Sequence, residues 1–120
     1  MPQPQQPHYL IELYTPKPAW LRLPASDRQA FLDAIAQAMA GMAEQGIELL
    51  TLAETDAGID QASHHRYLGI WRFAGRQARD ALLAGIAASG WYAYFDHLNA
   101  ACGTGDMPQH LRALQAVQGS

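Results

Sequence analysis

The stretch Arg66–Phe73, RYLGIWRF, constrains the fold more than any other part of the chain. It is rich in β-branched and aromatic residues, lacks proline, and reads as a strand. Alternation sets Tyr67, Gly69, Trp71 and Phe73 on one face and Leu68, Ile70 and Arg72 on the other. Both faces are mostly apolar, which predicts a central strand covered on each side. The aliphatic face suits helices. The aromatic face, with its glycine gap, suits a second sheet or a cavity.

The flanking chain supplies the remaining elements. Residues 1–7 are rich in proline and glutamine and are expected to form a disordered tail, leaving 8–120 as one domain. His8–Tyr14, HYLIELY, reads as a first strand with Tyr9, Ile11 and Leu13 on one face and Leu10, Glu12 and Tyr14 on the other. Pro16, Pro18 and Pro24 predict an irregular, stiff loop carrying Trp20. Ser26 reads as an N-cap with Gln29 as its capping-box partner. The helix that follows repeats Phe31, Leu32, Ile35, Met39 and Met42 and ends near Gln45, with Gly46 left-handed. Ile47–Ala53 is a second strand, and Glu54–His65 a polar loop. Gly75 and Arg76 open a second helix whose face is Ala78, Leu82, Leu83 and Ile86; Gly90 ends it. Trp91–Asn99 reads as a short irregular strand, Gly103–Pro108 as a break, and Leu111, Leu114 and Val117 as one side of a terminal helix. The order β-α-β-β-α-β predicts a ferredoxin-like antiparallel sheet with helices on one face.

Composition narrows the function classes. A net charge of −3 with Lys17 as the single lysine argues against nucleic acid and anionic membrane surfaces as partners. No apolar run approaches a membrane span, so a cytoplasmic protein is expected. Cys102 is the only cysteine, which leaves no internal disulfide and no thiolate zinc site.

The segments YLIELYTPKPAW, YLGIWRF and ALLAGIAASGWYAYFDHLNA resemble the dimeric α+β barrel superfamily. That group includes antibiotic-biosynthesis monooxygenases, YCII-like proteins, muconolactone isomerase and heme-degrading monooxygenases; the chain looks most like a small uncharacterised bacterial family within it. The resemblance spans roughly Tyr9–Ala100. It implies a homodimer of face-to-face sheets, with a pocket between sheet and helices or near the interface. The heme-degrading branch carries Asn, Trp and His in that pocket. Trp71 and His97 match two of these, whereas the first strand offers Glu12 and no asparagine, so no heme is expected.

Glu12 is the sharpest chemical signal, a carboxylate in mid-strand between Ile11 and Leu13. Buried without a cation it would have a raised pKa and serve as a general base; the plainer reading is an ion pair with an arginine such as Arg72. His97, in YFDHLN, is the second catalytic candidate, set against a structural histidine whose neighbour Asp96 points the other way. Tyr14, Trp20, Tyr67, Trp71 and Tyr94 are candidate walls for a flat or aromatic small-molecule ligand, or equally a dimer core. His64, His65, Asp56 and Asp60 share a loop, but their spacing matches no metal motif, and no metal or cofactor is expected. Two functions follow: a cofactor-free monooxygenase or isomerase acting on an aromatic or conjugated substrate, or a non-catalytic dimeric module whose aromatic sheet face is used in dimerisation. The expected site is Glu12, Tyr14, Trp71 and His97 on the face away from the helices, with the dimer built on Tyr67, Trp71 and Phe73.

Overall fold

The computed structural model describes residues 6–119. Of the expected tail, residues 1–5 lie outside the described residues; Gln6 and Pro7 carry no regular structure, and the Pro7 carbonyl accepts a hydrogen bond from Thr104 Oγ1 at 3.1 Å. The strands are β1 (His8–Pro16), β2 (Ile47–Glu54), β3 (Tyr67–Phe73) and β4 (Phe95–Cys102). They form one antiparallel sheet in the order β2-β3-β1-β4. The helices are α1 (Pro18–Leu21), α2 (Ala25–Met39), α3 (Arg76–Ala88), α4 (Trp91–Tyr94) and α5 (Met107–Ala116). With α2 and α3 on one side of the sheet, the architecture is the ferredoxin-like one that the element order predicts.

Local details depart from expectation in four places. Pro18 does not break structure; at the first helical position its fixed φ starts the single turn α1. Helix α2 begins at Ala25 with Pro24 as its N-cap and no side-chain cap, so Ser26 lies inside the helix. It ends at Met39, and the chain reaches β2 through a 3₁₀ turn, Met42–Gln45, bracketed by left-handed Gly41 and Gly46. The segment expected as an irregular strand begins instead with the helical turn α4, and only from Phe95 does it pair with β1.

The two faces of the sheet are those that alternation defines, but their covering is the reverse of the one expected. Leu10, Glu12, Gly69, Trp71 and Phe73 are buried beneath the helices. The core is Leu10, Ile47, Trp71, Phe73 and Leu82, with Met39, Met42, Ala78, Leu83 and Ile86 packed around it. Ile11, Leu13, Leu68, Ile70 and Leu98 form the other, open face, where Ile11 is 41% and Leu98 56% exposed. The reason is area. Aromatic side chains each bury on the order of 150–250 Å², so the helices, the only cover available within one chain, gain most by packing on the aromatic face. A dimer built on Tyr67, Trp71 and Phe73 is therefore ruled out as described, because helices occupy that face.

Candidate active site

Between the helix-side face of the sheet and helices α2 and α3 lies a cavity of about 300 Å³. Its walls are almost wholly apolar: Leu32, Ile35 and Met39 from α2, Leu82 and Ile86 from α3, and Leu52 from β2. Glu12, Tyr14 and Trp71 reach it from the sheet, and Trp91 from α4. Register explains the grouping. Glu12 sits opposite Gly69 on β3 and Asn99 on β4, while Tyr14 sits opposite Tyr67 and His97.

Glu12 is only 5% exposed and has no cation beside it. Arg72, the expected partner, lies on the opposite face and is bound instead to Glu48 on β2, 2.6 Å away. Burial pushes the Glu12 carboxyl up from the ordinary value near 4.5 to about 7, and the nearby Trp71 indole tempers that rise. Neither Oε1 of Glu12 nor Nε1 of Trp71 has a partner at hydrogen-bonding geometry, although both are buried. Leaving such groups without a partner in an apolar cavity is costly. Gly69 brings the two together: a Cβ there would stand 3.4 Å from Trp71 Nε1 and 3.8 Å from Glu12 Oε2. It would also stand 2.7 Å from Leu52 Cδ2, so the gap expected at Gly69 is filled by a leucine from the neighbouring strand.

His97 is held away from base chemistry. Its Nδ1 accepts from Trp91 Nε1 at 3.0 Å, which places the proton on Nε2, 2.7 Å from Asn99 Oδ1. Burial lowers its pKa, the Asn99 bond opposes this, and nearby His65 adds to the lowering. Protonating Nδ1 would break the Trp91 bond. His97 thus locks the rim, stacking on Tyr14 with centroids 5.7 Å apart, and does not line the cavity. Tyr67 stacks on the other side of Tyr14 at 5.6 Å. The Tyr14 hydroxyl is pushed up by burial, by Glu12 and by Tyr67.

Of the expected ligand walls, Tyr14 and Trp71 line the cavity; Trp20, Tyr67 and Tyr94 do not. Trp20 lies in an aromatic knot with Phe31, Tyr94 and Phe95, at ring separations of 5.7, 5.6 and 4.9 Å, that fastens α1 and α2 to β4. Leu52 and the α2 residues were not singled out as walls by sequence reasoning, although their helical spacing was visible. His65 bonds Thr15 Oγ1 at 3.1 Å, and no group of three metal-ligating side chains exists among the described residues.

A search of curated proteins yields no match. A family model, however, covers residues 7–117. The chain belongs to DUF6616, a family of unknown function. Among solved structures, this DUF6616 chain superposes on a hypothetical Arabidopsis thaliana protein with a TM-score of 0.55 and 11% identity, over 89% of this chain and 96% of that one. A chlorite dismutase variant from Candidatus Nitrospira defluvii gives a TM-score of 0.62 at 11% identity, over 98% of this chain; the DUF6616 chain spans 52% of that longer one. A cofactor-independent oxygenase from Streptomyces nogalater matches at a TM-score of 0.46 and 10% identity, over 85% of this chain and 96% of that one, too distant to carry an argument. At these identities the likeness is one of fold alone.

Proposed function

We propose that the protein is a cofactor-free enzyme, a monooxygenase or isomerase, that takes a proton from an aromatic or conjugated small molecule held in the cavity. The observation that carries this reading is Glu12, buried among apolar walls with no counter-ion and beside an unpartnered indole N–H. A single substrate oxygen placed between them accepts from Trp71 Nε1 and donates to Glu12, or, as a carbonyl, accepts from Trp71 while Glu12 removes a neighbouring C–H proton. In either case the negative charge that develops on oxygen is met by the indole N–H in a water-poor site. A carboxyl poised near 7 is basic enough to take the proton and acidic enough to return it, which isomerisation requires. Oxygenation would use the same carbanion or phenolate with molecular oxygen as co-substrate. His97 drops out as a base on the geometry of its hydrogen bonds; its part is to hold Tyr14 and Asn99.

The test is exchange of the α-protons of 2-tetralone for deuterium, followed by NMR. The wild-type chain should accelerate exchange, with a rate that rises with pH through about 7. Glu12→Gln, which keeps shape, should abolish the acceleration. Equal rates for the two chains would contradict the proposal.

A second reading keeps the cavity but not the chemistry: a dimeric binding module. In both readings the homodimer is built on the open aliphatic face, since Ile11, Leu68, Ile70 and Leu98 form an apolar surface of the kind that monomers rarely leave uncovered. The bacterial, cytoplasmic setting expected from the sequence belongs to the same proposal. No helix of the described residues is long and apolar enough to cross a membrane.

A further inference from the structure

Most polar groups on the cavity wall already have partners or lie in solvent. Ser89 Oγ donates to the Ile86 carbonyl at 2.6 Å and accepts from the Trp91 backbone N–H at 3.2 Å. The Trp91 indole N–H is taken by His97, and Gln45 is exposed. Among the described residues lining the cavity, only Glu12 Oε1 and Trp71 Nε1 are buried side-chain atoms without a partner. No lysine, arginine or histidine of the described residues lines it, and Glu12 is its only acidic residue. The one formal charge these walls can carry is therefore negative. The volume, about 300 Å³, stands at the low end of the range of about 300–1,000 Å³ for ligand pockets and gives room for about two fused rings.

We infer, resting on the catalytic reading above, that the substrate is an uncharged bicyclic ketone or phenol whose single oxygen sits between Glu12 and Trp71, and that these two side chains reject the carboxylic acid and the amine of the same skeleton. A hydroxyl or enol oxygen accepts from the indole N–H and donates to the carboxylate, so both open groups are met and no charge enters. A carboxylate can accept from Trp71, but it sets its charge against Glu12 among walls that hold no cation. An ammonium can donate to Glu12, yet it has no lone pair for the indole N–H. It also meets the wrong part of the ring. Trp71 turns its N–H edge, with Nε1, toward the carboxyl, whereas cations are drawn to the face of an aromatic ring and repelled by its positive edge. Glu12 thus excludes acids, Trp71 excludes amines, and the apolar remainder of the cavity takes the ring system.

Three probes with bodies of the same size test this by calorimetric titration of the full-length chain: 2-naphthol, 2-naphthoate and 2-aminotetralin. The titrations are run at pH 8, where Glu12 is largely ionised. In the wild-type chain 2-naphthol should bind at least about tenfold more tightly than either of the others. Equal affinities for the three, or no binding of 2-naphthol, overturn the inference without recourse to any variant. Glu12→Gln removes the repelling charge and should strengthen 2-naphthoate while weakening 2-aminotetralin. Trp71→Phe should weaken 2-naphthol more than 2-aminotetralin. A ratio of acid to alcohol affinity unmoved by Glu12→Gln, in a variant whose circular dichroism matches the wild type, also overturns the inference. Glu12-dependent exchange of 2-tetralone in a chain that binds acid, alcohol and amine alike would remove the selectivity and leave the proton chemistry standing. Selective binding of 2-naphthol without any exchange would keep the selectivity and remove the catalytic reading.

Discussion

Glu12 concentrates the consequences at the scale of single residues. A carboxyl whose pKa is raised on folding holds its proton more tightly in the native than in the unfolded state. Its contribution to stability is therefore fully present below about 4.5 and is lost as pH climbs to about 7. The loss should be roughly 3 kcal/mol, and Glu12→Gln should flatten that part of the profile in urea melts taken from pH 4 to 8. A profile of equal slope in both proteins would mean that Glu12 is solvated. His97 makes the opposite kind of prediction: ¹⁵N-resolved NMR should find an unprotonated Nδ1 and a pKa below the ordinary imidazole value. The mid-strand oddity of Glu12 was legible in the sequence. The fixed tautomer of His97 was not, because it depends on Trp91 arriving from a helical turn where an extended segment was expected.

Among elements, the two long helices are unequal. Helix α3 places Leu82 in the core at 4% exposure, whereas α2 presents only half-buried Phe31, Ile35 and Met39 and holds Leu32 43% exposed at the cavity. Leu82→Ala should cost on the order of 3 kcal/mol in denaturant unfolding, and Leu32→Ala about 1 kcal/mol or less. Comparable losses would show that α2 seals the cavity more firmly than its exposure indicates. The strands and long helices could be read from periodicity and glycine stops. What periodicity could not decide was which sheet face the helices would take. Alternation separates Leu10, Glu12 and Tyr14 from Tyr9, Ile11 and Leu13, but both sets are apolar enough to be covered. The choice is made by tertiary packing, chiefly by how much area Trp71 and Phe73 bury against α3. Likewise nothing in an isolated Trp20 or Tyr94 distinguishes a cavity wall from an aromatic knot.

For the molecule as a whole, the sheet order and the side on which the helices lie give a half-sandwich: one face filled, the other aliphatic and open. Light scattering at micromolar concentration should return twice the mass of one chain, and Leu68→Arg on the open face should return a single one without loss of the helix-side core. The cavity belongs to the filled side, so its chemistry can be read within one chain. The most direct measurement of that chemistry is a titration of the Glu12 side-chain carboxyl by ¹³C NMR, in the wild-type chain and in Trp71→Phe. The account predicts a midpoint of about 7 in the wild type and a higher one once the indole N–H is removed; a midpoint near 4.5, unmoved by Trp71→Phe, would contradict it.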